Sequence, residues 1–163
     1  MFYFLKIFRV NLPANFRFAD LKPENIGFAA DGTLKIFDFG LMTAIAKPAG
    51  SGQEAYVMTG KTGSLRYMAP EVYLNLPYNE KVDVYSFGMI LYQLMSNKVP
   101  FDGFSRRDLE EKVVNGGYRP AMDSHWPTSL QSLISRCWAT DHTLRPPFSE
   151  ILTELEKIDK LYK

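Results

Sequence analysis

Asp20 and Asn25 bracket the stretch Asp20-Leu21-Lys22-Pro23-Glu24-Asn25, and Asp38-Phe39-Gly40 begins thirteen positions after Asn25. Two carboxylates and an amide in this order suit phosphoryl transfer from a magnesium-bound nucleotide. That reaction asks little covalent chemistry of a protein. One carboxylate orients the attacking hydroxyl, and oxygen ligands hold the metals that neutralise phosphate charge. Asp20 can fill the first role, and Asn25 and Asp38 the second. Each piece also has a plainer reading. Asp-x-Gly ends many strands for turn reasons, and an Asp ahead of Pro23 can cap a helix. One short motif decides nothing.

The residues between and after these groups say what must hold them. Ile26 to Phe28 and Leu34 to Phe37 are apolar-rich strands, and Asp31-Gly32 supplies a turn, so a short hairpin is expected. Asp38 would then project from a strand end into a cleft. Leu41 to Leu65 shows no sustained periodicity and reads as one long mobile segment, loosest around Lys47-Pro48 and Gly50-Ser51-Gly52.

The remainder reads as helical. Asn79 can cap a helix whose first turn carries Glu80 and Asp83. Val82, Val84, Tyr85, Phe87, Met89, Ile90, Leu91, Leu94 and Met95 leave it almost no polar face, which predicts a buried helix. Ser105-Arg106-Arg107-Asp108 has the pattern of a capping box, with Gly116-Gly117 as the stop. Leu130, Leu133, Ile134, Cys137 and Trp138 fall on one stripe, and Phe148, Ile151, Leu152, Leu155 and Ile158 on another. No internal repeat or low-complexity tract is present.

Taken in order, these pieces resemble the C-terminal lobe of a eukaryotic-type protein kinase. Asp20 to Asn25 is similar to the family's catalytic loop, and Asp38-Phe39-Gly40 to its metal-binding motif. Met68-Ala69-Pro70-Glu71 is similar to its A-P-E element. Asp83-Val84-Tyr85-Ser86-Phe87-Gly88 resembles the start of the family's central helix, and Arg145-Pro146 the arginine that pairs with the A-P-E glutamate. The expected fold is mainly α with a short β-hairpin. The resemblance implies ATP and Mg2+ as cofactors and a protein substrate. Asp20 would orient the substrate hydroxyl, Lys22 would place positive charge beside the transferred group, and Asn25 and Asp38 would hold magnesium. Ser64, in Gly63-Ser64-Leu65-Arg66-Tyr67, would sit in the substrate-facing loop and bridge Asp20 and Lys22. Glu71 and Arg145 would form a structural pair, with Asp83 holding the catalytic-loop backbone. Lys22 favours serine/threonine substrates. Cys137-Trp138, Arg145-Pro146-Pro147-Phe148 and Val84-Tyr85-Ser86-Phe87-Gly88 look most like the tyrosine-kinase-like branch.

The match has departures. No glycine-rich loop, strand lysine or partner glutamate precedes Asp20, so the N-terminal lobe is expected to be missing and the chain alone to be inactive or nearly so. Its cleft floor would also be left bare and apolar. Phe18 and Ala19 stand where the family has histidine and arginine. Ala19 cannot hold a phosphorylated segment, which puts regulation at Thr59, Thr62 or Ser64 in doubt. Ala44-Ile45-Ala46-Lys47 and Gly50-Ser51-Gly52 echo nucleotide-binding motifs, but they follow Asp38 and read as filler.

The chain's 163 residues suit one domain, and its composition of 46% hydrophobic and 23% charged residues suits a packed core. A net charge of +1 gives no electrostatic reason for nucleic acid or an anionic membrane as partner. No apolar run reaches the ~20 residues needed to span a bilayer. Cys137 is the only cysteine, which suits a reducing, cytoplasmic setting. Its neighbours place it in a core rather than at a reactive site. Residues 1–19 form an atypical segment with five phenylalanines, three basic residues and no acid. It reads either as a targeting peptide or as sequence foreign to the domain. Residues 20–158 form the partial catalytic domain, and 159–163 a tail. Two functions follow: a serine/threonine kinase catalytic lobe, or a kinase-like interaction module without catalysis.

Overall fold

The computed structural model of the chain describes residues 16–44 and 65–161. Thr59, Thr62, Ser64 and the Gly50-Ser51-Gly52 stretch lie outside the described residues. The described part is mainly helical, with two small antiparallel strand pairs.

Strands β2 (Ile26–Phe28) and β3 (Leu34–Ile36) form the hairpin, with Ile26 opposite Ile36 and Phe28 opposite Leu34. Its turn is set by local chemistry. The Asp31 carboxylate accepts from Thr33 N at 2.8 Å, and Gly32 takes the left-handed φ of 78° that the turn needs. Gly27 has a packing reason: a Cβ there would lie 2.7 Å from the Phe37 ring. A second pair, β1 (Phe16–Arg17) with β4 (Thr43–Ala44), was not expected. It corrects the reading of Leu41 onward as uniformly irregular. Two-residue strands are too short to show alternation.

The helices follow in order. Helix α1 (Pro70–Tyr73) opens on a proline, whose missing N–H costs nothing at a helix start. Helix α2 (Lys81–Ser96) begins where Asn79 Oδ1 accepts from Lys81 N at 3.0 Å, and it ends at Asn97 with a left-handed φ of 52°. Every residue from Val82 to Tyr92 is buried. Leu94, read as part of that apolar surface, is instead 44% exposed, because the last turn emerges from the core.

Helix α3 starts at Arg106–Asp108 with both halves of the Ser105–Asp108 capping box in place, then widens into a π-helical run over Leu109–Asn115. A Cβ on Gly116 would meet Lys112 O at 2.7 Å, so glycine is required where the run closes. Helix α4 (Thr128–Cys137) buries Leu130, Leu133, Ile134 and Cys137. Helix α5 (Phe148–Leu161) buries Ile151, Leu155 and Ile158.

The core is α2 wrapped by α4, α5 and the loops. Phe87 meets Phe148 edge-on at 5.8 Å, and Tyr92 packs on Trp138 at 5.7 Å and Trp126 at 6.0 Å. Cys137 is fully buried and its thiol is pushed up to about 12 by burial, which makes it a core atom at any physiological pH. Among the described residues no helix is long and apolar enough to cross a membrane.

Helix α2 approaches α4 most closely at Gly88. A Cβ there would sit 2.8 Å from Cys137 Cβ and 3.2 Å from Trp138 N. Gly88→Ala forces the two helices apart and is expected to cost ~1–3 kcal/mol. Urea unfolding checks this, and an unshifted midpoint contradicts the close packing.

Candidate active site

Asp20 and Asn25 are joined by a short 3-10 turn, Pro23–Asn25, entered through Pro23 at its first position. Three groups converge there. Lys22 Nζ donates to Asp20 Oδ2 at 2.5 Å, and Asn25 Nδ2 donates to the same oxygen at 3.3 Å and to Asp20 O at 2.9 Å. Asp20 Oδ2 is thus engaged twice, while among the described residues no side-chain bond is made to its Oδ1. Asn25 is buried and its side-chain nitrogen is committed to Asp20, which leaves its Oδ1 as the acceptor of the amide.

Asn25 stands just before β2, and its carbonyl accepts from Phe37 N at 2.8 Å. The hairpin therefore brings Asp38, two residues beyond β3, to the same end as Asn25. Asp38 is exposed and held at a left-handed φ of 58°, with Gly40 N donating to its Oδ1 at 3.3 Å. An amide oxygen and an accessible carboxylate are hard donors of the kind magnesium takes while keeping positions for water and phosphate. The donor set fits that ion. Among the described residues no cluster of three His, Cys, Asp or Glu side chains could hold a metal by itself.

The loop before Asp20 hangs from α2. Asp83 is buried, and its two oxygens accept from Phe18 N at 2.7 Å and Ala19 N at 2.9 Å. These bonds hold Ala19 at a φ of 61°, a conformation that costs a non-glycine residue roughly 1–2 kcal/mol. Burial pushes the Asp83 carboxyl up to about 6, while the two amides and the Arg17 charge pull it down. Phe18 is buried, and Phe39 touches it with ring centroids 5.7 Å apart while remaining 53% exposed.

Below the site lies the Glu71–Arg145 pair. Arg145 Nη1 and Nη2 donate to Glu71 Oε1 at 2.5 Å and Oε2 at 2.9 Å. The remaining donors of the guanidinium go to the carbonyls of Ala139, Lys81 and Thr140, so every N–H has a partner. Removing one member of such a pair costs ~3–5 kcal/mol through the charge left behind. Tyr85 lies between two guanidiniums, with Arg145 and Arg119 each 5.1 Å from its ring.

Several positioning groups escaped the sequence reading. Ser86 Oγ donates to Tyr67 O at 2.7 Å, the Tyr67 hydroxyl reaches Gln93, and Lys81 Nζ donates to Arg145 O at 2.7 Å. Polar Ser86 within a buried apolar helix was the one available signal. Ser64 lies outside the described residues.

Comparison with known proteins gives the class. Residues 13–155 match the protein kinase domain family, and the chain belongs to that family. It is 44% identical over 143 residues to serine/threonine-protein kinase VIK of Arabidopsis thaliana, covering 85% of this chain and 32% of VIK. Dual specificity protein kinase pyk3 of Dictyostelium discoideum is 42% identical over 137 residues, covering 84% of this chain and 10% of pyk3. Serine/threonine/tyrosine-protein kinase HT1 of Arabidopsis thaliana is 35% identical over 144 residues, covering 88% of this chain and 35% of HT1. These relatives agree with the tyrosine-kinase-like branch. The chain spans only about a tenth to a third of their lengths.

The Asp83 carboxyl sets a sign for pH dependence. Its folded value of about 6 lies above the ordinary 3.8, so between those values the folded state binds the proton better than the unfolded chain. The stability contributed by Asp83 therefore falls as pH rises from about 4 to about 6, by at most ~3 kcal/mol. Denaturant midpoints of the wild type minus those of Asp83→Asn across this window are expected to show that slope. A flat difference contradicts a buried, desolvated carboxyl.

Proposed function

We propose that this chain is the catalytic lobe of a protein serine/threonine kinase, which transfers the terminal phosphate of ATP to a hydroxyl of a protein substrate. The observation that carries this reading is the shared engagement of Asp20 Oδ2 by Lys22 and Asn25, which fixes all three side chains relative to one another. In this reading Asp20 Oδ1 accepts from the substrate hydroxyl and holds its oxygen in line for attack. Lys22 offsets negative charge where the phosphoryl group passes. Asn25 and Asp38 are the residues that would hold magnesium, whose bound form with ATP supplies charge neutralisation at the phosphates. The lysine of Asp-Leu-Lys-Pro-Glu-Asn and the serine/threonine relatives support the choice of hydroxyl, with the dual-specificity relatives marking tyrosine as the competing acceptor.

The exposed apolar surface around the hairpin supports a further part of the reading. Phe28, Phe37, Phe39, Leu41 and Met42 are between 37% and 62% exposed. We read this as the floor of a nucleotide cleft, whose roof must be supplied before positioning and electrostatics can accelerate the reaction. A reducing, cytoplasmic setting suits a chain whose one cysteine is a core atom.

The test compares this chain with a version extended upstream, measuring Mg-ATP binding and phosphate transfer to casein. The extended form is expected to do both. Asp20→Asn should retain Mg-ATP binding and lose transfer by ~10²–10⁴-fold, whereas Asp38→Asn should lose both. Transfer by Asp20→Asn at the unsubstituted rate contradicts the role given to Asp20. Failure of both forms to transfer phosphate favours the alternative, a kinase-fold interaction module.

A further inference from the structure

Arg66 follows directly on the Gly63-Ser64-Leu65 stretch, and its side chain reaches far across the chain. Its Nη1 donates to Pro100 O at 2.8 Å and to Phe101 O at 2.5 Å, 34 and 35 residues away. The turn it grips has an unusual backbone. Phe101 is buried, yet holds a left-handed φ of 55°, which for a bulky residue marks strain imposed from outside. The next turn bond is Phe104 N to Phe101 O at 3.0 Å, so one carbonyl oxygen accepts from both the guanidinium and the turn.

The turn in its own direction organises an aromatic group. Phe101, Phe104 and Tyr118 lie with centroids 5.6 to 6.3 Å apart, and Lys112 sits 5.1 Å over the Phe104 ring. Ser105, one residue past Phe104, caps α3. The neighbouring residue Tyr67 is held separately by α2, through its carbonyl to Ser86 and its hydroxyl to Gln93. Arg66 is thus the link between the end of this segment and the α2–α3 loop, while Tyr67 supplies the link to α2.

We propose that Arg66 is a positioning residue for the protein substrate: by gripping Pro100 and Phe101 it fixes the Leu65–Tyr67 backbone beside which the substrate chain lies. The inference rests on the kinase reading for its functional half and on the turn geometry for its structural half. Both bonds come from Nη1, whose two N–H groups are fixed in the guanidinium plane at the end of a long side chain and can each meet one carbonyl. A lysine in its place carries three N–H groups on a stem one atom shorter, so it reaches less far toward the same carbonyls and should grip partially. Neither of these Arg66 bonds goes to Asn25 or Asp38, so the KM for ATP is expected to change least.

Two measurements test this. Hydrogen exchange on the chain reads the turn: in Arg66→Ala the Phe104 amide is expected to exchange at least tenfold faster than in the wild type, with Arg66→Lys between them. The amides of α4 serve as an unchanged reference. In the transfer assay with casein, run on the form extended upstream, Arg66→Ala is expected to raise the KM for casein about tenfold while the KM for ATP and kcat stay within twofold, and Arg66→Lys to recover part of the loss. Equal changes in both KM values, or in kcat alone, overturn the positioning role, since a loosened fold would affect them together. Unchanged exchange at Phe104 overturns it whatever the transfer assay shows. If Arg66→Ala does not fold, Arg66→Met, which keeps an apolar stem and has no N–H group, decides, and wild-type exchange and KM in that variant reject the role. Absence of transfer by the unsubstituted extended form fails the kinase reading instead, with the exchange result still standing for the turn.

Discussion

The Asp83 carboxylate, buried against the backbone of Phe18 and Ala19, is the interaction on which the rest of the site depends. A buried ion is tolerated only when its lone pairs are met by donors, and here two backbone amides meet them. In return the loop ahead of Asp20 is held in a conformation that Ala19 would not choose by itself. The direction of Asp20, and through it the shared bonds of Lys22 and Asn25, follows from that grip. The acid comes from the first turn of α2, whose residues from Val82 to Tyr92 are all buried, so the loop ahead of Asp20 is referenced to the core.

A second set of ties runs from the same helix to the chain beyond Leu65. Ser86 and Gln93 hold Tyr67, while the Lys81 backbone and side chain both engage Arg145, which in turn grips Glu71. The Glu71–Arg145 pair is not in itself a large source of net stability, since desolvation offsets most of the attraction. Its effect is on geometry: all five guanidinium donors are used, so few other arrangements satisfy the charge. Helix α2 therefore serves two flanks at once, with Asp83 facing the loop ahead of Asp20 and Ser86 the segment that precedes α1.

Much of this was legible in the sequence for identifiable reasons. The helices α2, α4 and α5 carry long apolar patterns, and length is what makes periodicity readable. The Ser105 box and the Asp31-Gly32 turn are local chemistry, encoded within three or four residues. Asp20, Asn25 and Asp38 stood out because their types and order suit one reaction. What stayed hidden depends on residues far apart in the chain. The Arg66 bonds span 34 and 35 positions, the β1–β4 pair has two residues per strand, and the strain at Ala19 and Phe101 is imposed by partners elsewhere. The π-helical widening of α3 has no sequence signal that we can name beyond the glycine that closes it.

The central claim is that Asn25 and Asp38 face one cation at the end of the hairpin, next to Asp20. Paramagnetic line broadening by Mn2+–ATP in isotopically labelled protein measures this most directly. The account predicts that the Asn25 side-chain amide and the backbone amides of Asp38 and Gly40 broaden together, at the lowest metal concentration, and recover with excess Mg2+. Broadening that spares these groups and falls on exposed acids such as Asp102 or Asp123 would contradict it.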